Sequence, residues 1–443
     1  MDEISPIEEL FIIGNGFDLQ CGLGTTYENF LKYTFSKLDS NISDSINYDT
    51  FNLDEFSDKV SESIKYTDLH VKNWGELSRL DYYNRYDYYP KLNIWYHIFL
   101  YEKMVKNINW SSVESILATY LQDYRMIDYI SSLIVNNKSK PTYKSKRISI
   151  PIPSNSKAGI LAKIAFIIVR KKLNDLVLPN HFAYEKLQEI YNKPDEVDLN
   201  HIKEWVTQVL LHELNELEYD FQRFVAFQKQ NMDHEYGERV NALLRKMLDP
   251  HVDLFNIEPR PYYLMSFNYS SIWSEIFRPK FSPKLFFDVH GRLPKNEGLK
   301  HSTIIFGVDA SLFDATSFEY RFTKTYRTFK NYSIGFEEAG NGREIYSPTV
   351  KMIKFYGHSL AEADYSYFQQ LFDHYNLYQN NDLKLIFYYS VFDKNRREEI
   401  EQEQLYSVSR LIEKYGQTMD NKNHGKNLLT RLIQTNRLQL VEL

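Results

Sequence analysis

Apolar residues along this chain fall into two rhythms. Short apolar runs resembling strands occur at Glu9 to Ile13, Tyr262 to Phe267, Leu285 to Val289, Thr303 to Phe306, Val350 to Tyr356 and Leu383 to Tyr389. Runs of this length predict strands buried on both faces, the habit of a parallel sheet covered by helices. Helical spacing follows several of them, as in Ser270 to Phe277 and Ala361 to Tyr375. The alternation predicts an α/β fold with a Rossmann-like, doubly wound, mainly parallel sheet. All but the first run lie after residue 255, and from about Tyr27 to Asn256 the spacing is helical, with long stretches at Leu92 to Asn107, Ser112 to Val135 and His201 to Leu248. The sheet is therefore predicted to be interrupted by a large helical insertion. Residues 1–35 supply the first strand and a glycine turn, 36–255 the insertion, and 256–443 the remainder of the sheet.

Composition narrows the class of partner. With 443 residues, 43% apolar and 16% aromatic, the chain has room for two or three packed units. Its 53 basic and 59 acidic residues give a formal charge of −6, so no global basic field recruits nucleic acid. One local exception is the polar stretch Asn136 to Lys157, with Lys138, Lys140, Lys144, Lys146, Arg147 and Lys157, read as a mobile surface loop, with contact to a nucleic acid or another anion as the alternative. The single cysteine, Cys21, excludes an internal disulfide framework and fits a reducing compartment. Met1 to Glu9 is acidic and has no signal-peptide pattern, so a cytoplasmic location is expected. Ala158 to Val169 is interrupted by Lys163 and followed by Arg170-Lys171-Lys172, too short and charged to span a bilayer. It reads as a buried or amphipathic helix, with a peripheral membrane helix as the alternative.

Chemistry enters at the loops after the predicted strands. The first run leads into Gly14-Asn15-Gly16-Phe17-Asp18, where glycines permit a tight turn whose free N–H groups and following helix N-terminus face an anion such as a pyrophosphate. The third glycine of a G-x-G-x-x-G pattern falls on Leu19, and the next glycine is Gly22, so an ordinary turn without a ligand fits the same residues. Three further loops carry polar groups: Ser266-Phe267-Asn268-Tyr269-Ser270, Val289-His290-Gly291, and Tyr356-Gly357-His358-Ser359-Leu360 followed by Asp364. In an open parallel sheet the loops at the carboxyl ends of the strands converge on one crevice. An amide, imidazoles and several hydroxyls are predicted to meet there.

The run Gly14 to Asp18, with Gly22-Leu23 and Thr25-x-Tyr27-x-x-Phe30, together with Phe267-Asn268-Tyr269, His290-Gly291, Ile305-Phe306-Gly307 and Gly357-His358-Ser359-Leu360-x-x-x-Asp364, resembles the bacteriophage abortive-infection family AbiH. Trp110 and Glu114 in the insertion resemble it too. The same blocks are similar, more distantly, to sirtuin-like NAD-consuming proteins. In that wider group a glycine turn with a hydroxyl residue holds the cofactor, an asparagine follows the next core strand, and a His-Gly pair supplies the catalytic imidazole. The resemblance implies NAD as substrate and Asn268 and His290 as catalytic residues. It implies binding roles for Gly14, Asn15, Gly16, Phe17, Asp18, Gly22, Leu23, Thr25, Tyr27, Tyr269, Gly291, Gly307, Gly357, His358, Ser359 and Asp364. The zinc-binding cysteines of sirtuins are missing, so protein deacylation is not expected and no metal is assigned. Asp18 stands where the hydroxyl residue belongs. A carboxylate repels pyrophosphate, so Asp18 is expected to face the ribose or the cationic nicotinamide ring.

The reaction these residues can support is hydrolysis of the bond between nicotinamide and its ribose, through an oxocarbenium-like centre, to nicotinamide and ADP-ribose. An imidazole with an ordinary pKa of about 6.5 can take a proton at neutral pH. Asn268 can orient water or a hydroxyl without opposing positive charge. A histidine ending a strand is also a common structural residue, and that reading stands beside the catalytic one. His358 is expected to bind, with Ser359 capping the next helix and Asp364 either turned to the site or solvated. A Ser-His-Asp triad is disfavoured because Ser359 lacks the Gly-x-Ser-x-Gly elbow, and His212-Glu213 lacks the second histidine of a zinc helix. The aromatic stretch Tyr82 to Tyr101 is read as core or subunit interface ahead of base stacking.

The expected function is an antiphage effector that hydrolyses NAD on infection. It is expected to answer a phage-derived trigger, as a homo-oligomer or with a partner defence protein, without membrane or nucleic acid. A non-catalytic NAD or ADP-ribose sensor and a nuclease effector are the competing readings, and the nuclease lacks an acidic metal cluster at recognisable spacing.

Overall fold

The computed structural model describes residues 6–39, 52, 93–106, 113–136, 161, 164, 198–250, 260–270, 282–291, 293, 302–333 and 345–443. The chain divides into two compact units, the first of residues 1–26, 222–305 and 327–443, the second of residues 27–221 and 306–326.

The first unit holds one sheet of β1 (Glu9–Ile13), β2 (Tyr263–Ser266), β3 (Leu285–Asp288), β4 (Met352–Tyr356), β5 (Lys384–Tyr389) and β6 (Leu438–Glu442). The order is β3-β2-β1-β4-β5-β6, and every pairing is parallel. This is the doubly wound order, in which the chain reverses its direction of travel between β1 and β4 and opens a crevice at their carboxyl ends. β1 is buried at every position, which is why its sequence shows no polar alternation. Phe11 and Ile13 pack on one face with Tyr262, Leu264 and the helix Tyr236–Leu248. Leu10 and Ile12 pack on the other with Met265, Phe355 and the helices Tyr365–His374, Arg397–Thr418 and Lys422–Gln434. The last two helices meet backbone to backbone, since a Cβ on Gly425 would lie 1.9 Å from the Gly416 carbonyl oxygen. At the opposite end of the sheet Lys354 is buried, its ammonium 2.9 Å from Glu9 and donating to the carbonyls of Met247 and Leu248 that end a helix.

Two strand predictions change. The sequence pattern does not predict β6, whose half-buried residues are those of an edge strand. Thr303 to Phe306, predicted as a strand, joins no ladder: the Ile305 N–H donates to the His290 carbonyl at 3.0 Å and the Phe306 N–H to the Glu218 carboxylate at 2.6 Å. Backbone donors bound elsewhere leave nothing for a neighbouring strand.

The second unit is built of the helices Tyr27–Asp39, Ile94–Lys106, Val113–Ala118, Met126–Asn136 and the Leu199–Gln230 helix as far as Phe221. The predicted helix Ser112 to Val135 is broken by a π-turn at Thr119–Asp123 and by Arg125, whose φ is 44°. The stretch His201 to Leu248 is likewise two helices, Leu199–Gln230 and Tyr236–Leu248. Trp95, Tyr96 and Phe99 are buried core, with the Trp95 indole donating to the Leu210 carbonyl and the Tyr96 hydroxyl to Asp220. The core reading of the aromatic stretch therefore holds for its described part. Residues 82–92, Trp110, the basic loop beyond Asn136, the helical pattern beyond Ser270, and 158–169 apart from the buried Leu161 and Ile164 lie outside the described residues.

Candidate functional site

The loops after β1 and β4 interlock. Gly14 N–H donates to the Tyr356 carbonyl at 3.0 Å, Gly16 N–H to the Gly357 carbonyl at 2.8 Å, and Phe17 N–H to the Gly14 carbonyl at 2.9 Å. A Cβ on Gly14 would lie 2.6 Å from His358 Cα, and one on Gly16 would lie 2.7 Å from Gly357 Cα. Gly357 has φ +68°, with Phe17 N at 2.3 Å from its absent Cβ. These glycines serve loop against loop. The expectation that Gly14 and Gly16 offer free N–H groups to an anion is corrected, because backbone carbonyls already hold them, and the next helix, Asn15–Gln20, has only six residues.

Other turn residues also have internal partners. The Thr25 hydroxyl donates to Asn15 Oδ1 at 2.5 Å, and the Asn15 amide donates back to the Thr25 carbonyl at 3.2 Å. Phe17 and Leu23 are core, and the Arg239 guanidinium lies 2.8 Å from where a Gly22 Cβ would be. Thr25→Val is expected to cost about 1 kcal/mol by removing the latch hydrogen bond. A melting temperature unchanged from that of the parent chain would contradict this role.

Asp18 sits beneath that turn, 1% exposed. Burial pushes its pKa up to about 7, with Ser270, Asn268, Lys229 and Tyr236 offsetting part of the effect. The sheet explains the convergence: Ile13, Ser266 and Asp288 are register partners across β1, β2 and β3. Asn268, two residues past Ser266, keeps to that side, and its N–H donates to Ser266 Oγ at 3.2 Å. Lys229, held below its ordinary pKa by burial, feels both Asp18 and Asp288.

On the other side lies a second group, two imidazoles sharing one carboxylate. His290 Nε2 is 2.8 Å from Asp364 Oδ1, and His358 Nε2 is 3.3 Å from Asp364 Oδ2. The Leu360 N–H donates to His358 Nδ1 at 2.8 Å, which places that ring's hydrogen on Nε2. A carboxylate can only accept, so each oxygen takes one imidazole N–H, and Nδ1 is the basic position of the His290 ring. Phe267 stands edge-on to both rings, at 5.3 Å from His290 and 4.5 Å from His358, while Tyr269 and Tyr367 flank His290. Behind it, Gly291 has φ +83° and presses on the Thr303 carbonyl. Asp364 is therefore turned to the site and not solvated. It also occupies the N-cap position of the helix Tyr365–His374, whereas Ser359 is exposed and caps nothing.

The first unit thus gathers Asp18, Asn268, Tyr269, His290, His358 and Asp364 at the strand ends. Tyr27 and Gly307 belong to the second unit, where each has its own duty. The Tyr27 hydroxyl donates to Glu114 at 3.1 Å and its ring packs on Phe221 and Phe306, while the space beside Gly307 is filled by the Phe322 carbonyl and Lys324. Sequence reasoning missed Asp288, Lys229 and Tyr236. Asp288 carried a signal, a carboxylate closing an apolar run two residues before His290; the other two lie in helical stretches and gave none. Among the described residues no group of three or more His, Cys, Asp or Glu is arranged to hold a metal, and no helix is long and apolar enough to cross a membrane.

No curated protein and no solved structure matches the chain. The profile of the family described as bacteriophage abortive infection AbiH matches residues 10–389, from β1 through β5, and so takes in both of the site's polar groups. The family indicates a role in abortive infection by phage, and a match over that much of the sequence establishes that the chain belongs to the AbiH family.

Proposed function

We propose that this protein acts in abortive infection by hydrolysing NAD to nicotinamide and ADP-ribose at the carboxyl ends of β1 to β4. The observation that carries the reading is the buried His290–Asp364 bond, which fixes one imidazole tautomer in the crevice of a doubly wound sheet. Water bonds to the ribose C1′ as the C1′–N bond breaks, nicotinamide leaves as a neutral molecule, and the water's proton passes to His290 Nδ1 and then to solvent. Asp364 keeps the ring in register and offsets the imidazolium that forms. Asn268, neutral and buried beside Asp18, orients the attacking water or a ribose hydroxyl.

Purified protein incubated with NAD, with and without phage lysate, is expected to release nicotinamide and ADP-ribose. Asn268→Ala is expected to slow release by about 10²-fold. Release at the parent rate in that variant would remove Asn268 from the mechanism, and tight binding with no product in either condition would identify a non-catalytic sensor instead.

A further inference from the structure

Asp18 is 1% exposed and Asn268 2%, and Ser270, Asn268 and Tyr236 turn on the Asp18 carboxyl, yet among the described residues Asp18 Oδ1, both amide atoms of Asn268 and Ser270 Oγ close no well-formed hydrogen bond. Buried polar atoms are nearly always paired, and one left unpaired is costly. Four in one group mark a place built for a guest. The surroundings bear on the guest's charge: among the described residues two carboxylates, Asp18 and Asp288, act on the ammonium of Lys229. With all three ionised the group carries one negative charge in excess, in a desolvated setting where attraction for a cation is stronger than in water.

Building on the NAD reading, we propose that Asp18 selects the positively charged pyridinium ring of an N-glycoside, so that the site takes the oxidised nicotinamide nucleotide and discriminates against the reduced one. The two forms share their shape, ribose and carboxamide, and differ in the ring's charge. Asn268 and Ser270 treat them alike. The reduced ring also gains a hydrogen at C4, but a charged partner responds directly to the lost charge, and Asp18 is the carboxylate that faces Asn268. The same residue then acts on the reaction itself, because positive charge moves from the ring to C1′ as the bond between them breaks, and a fixed carboxylate offsets it there.

The selectivity is expected to depend on pH. Besides Lys229 from the helix Leu199–Gln230, the titratable groups facing Asp18 are Tyr236 from the helix Tyr236–Leu248 and Cys21, itself beside Arg239. Burial pushes Asp18 to about 7, so its carboxyl ionises across neutrality. Preference for the cation strengthens above that pH and fades below it.

The test uses a carbocyclic NAD analogue, which keeps the pyridinium but cannot be hydrolysed, and its reduced, uncharged form. Calorimetric titration of the full chain at pH 8 is expected to show the cationic form bound about tenfold tighter or more, the ratio expected for one interaction of about 1.4 kcal/mol. The ratio is expected to collapse in Asp18→Asn and, in the parent protein, at pH 6, while Asp18→Glu retains it. An unchanged ratio in Asp18→Asn overturns the assignment and leaves the hydrolysis reading standing. Should that variant fail to fold, a parent ratio identical at pH 6 and pH 8 overturns it equally. Failure of the parent protein to bind either form overturns the hydrolysis reading, and this inference with it.

Discussion

His290→Ala is expected to lower NAD hydrolysis by about 10²- to 10⁴-fold, the span usual for loss of a positioned general base. The imidazole is buried, with Nε2 committed to Asp364, so no neighbouring side chain can swing into its place without breaking a packed aromatic setting of Phe267, Tyr269 and Tyr367. Asp364 keeps His358 as a partner when His290 is removed, which limits the structural damage. Asp364→Asn provides the companion measurement. The amide retains the shape but can no longer accept from both rings, so kcat is expected to fall with KM little changed, the signature of a positioning residue. Nicotinamide release measured by chromatography, with circular dichroism as a check on folding, decides the matter. Parent rates in both variants would end the case for His290 as the base.

Gly357→Ala is expected to destabilise the first unit strongly, by about 3 kcal/mol or more. Its φ of +68° costs an L-residue roughly 1 kcal/mol. The larger part comes from sterics, since the new methyl would meet Phe17 N at 2.3 Å and one of the two interlocked loops would have to withdraw. Either movement displaces functional groups, because Asp18 is next to Phe17 and His358 is next to Gly357. Urea unfolding and the NAD assay are expected to report the loss together. A stability within about 0.5 kcal/mol of the parent would show that the loops give way easily.

Much of the sheet is legible in the sequence because central strands leave a plain trace. Leu10 to Ile13 and Leu385 to Tyr389 are apolar runs since both faces are covered. The trace fails where burial and pairing part company. Ile304 to Phe306 are as buried as a strand, but their backbone bonds go elsewhere. β6 is paired but half-exposed, so Leu438 to Glu442 mixes apolar and polar residues without a clear run. At the site, the glycines mark places of close approach, as their spacing suggests, and what approaches Gly14 and Gly16 is the loop after β4. Asp364 is visible in the sequence as a residue, while its double acceptance from His290 and His358 is not, because a turn from another strand delivers it. Lys229 and Tyr236 reach Asp18 only through the packing of their helices, which a helical pattern does not reveal.

The central place of β1 has a consequence for how the molecule is made. It is the first strand of the sheet to leave the ribosome, yet both its neighbours are synthesised far later, and its Glu9 waits for Lys354, 345 positions on. Until then it is an apolar segment with two open edges, whose pairing must wait for contacts distant in sequence. The delay also acts as a safeguard. Asp18 cannot be seated before Gly357 arrives, nor His290 oriented before Asp364, so a shortened translation product that stops before β4 carries no assembled site.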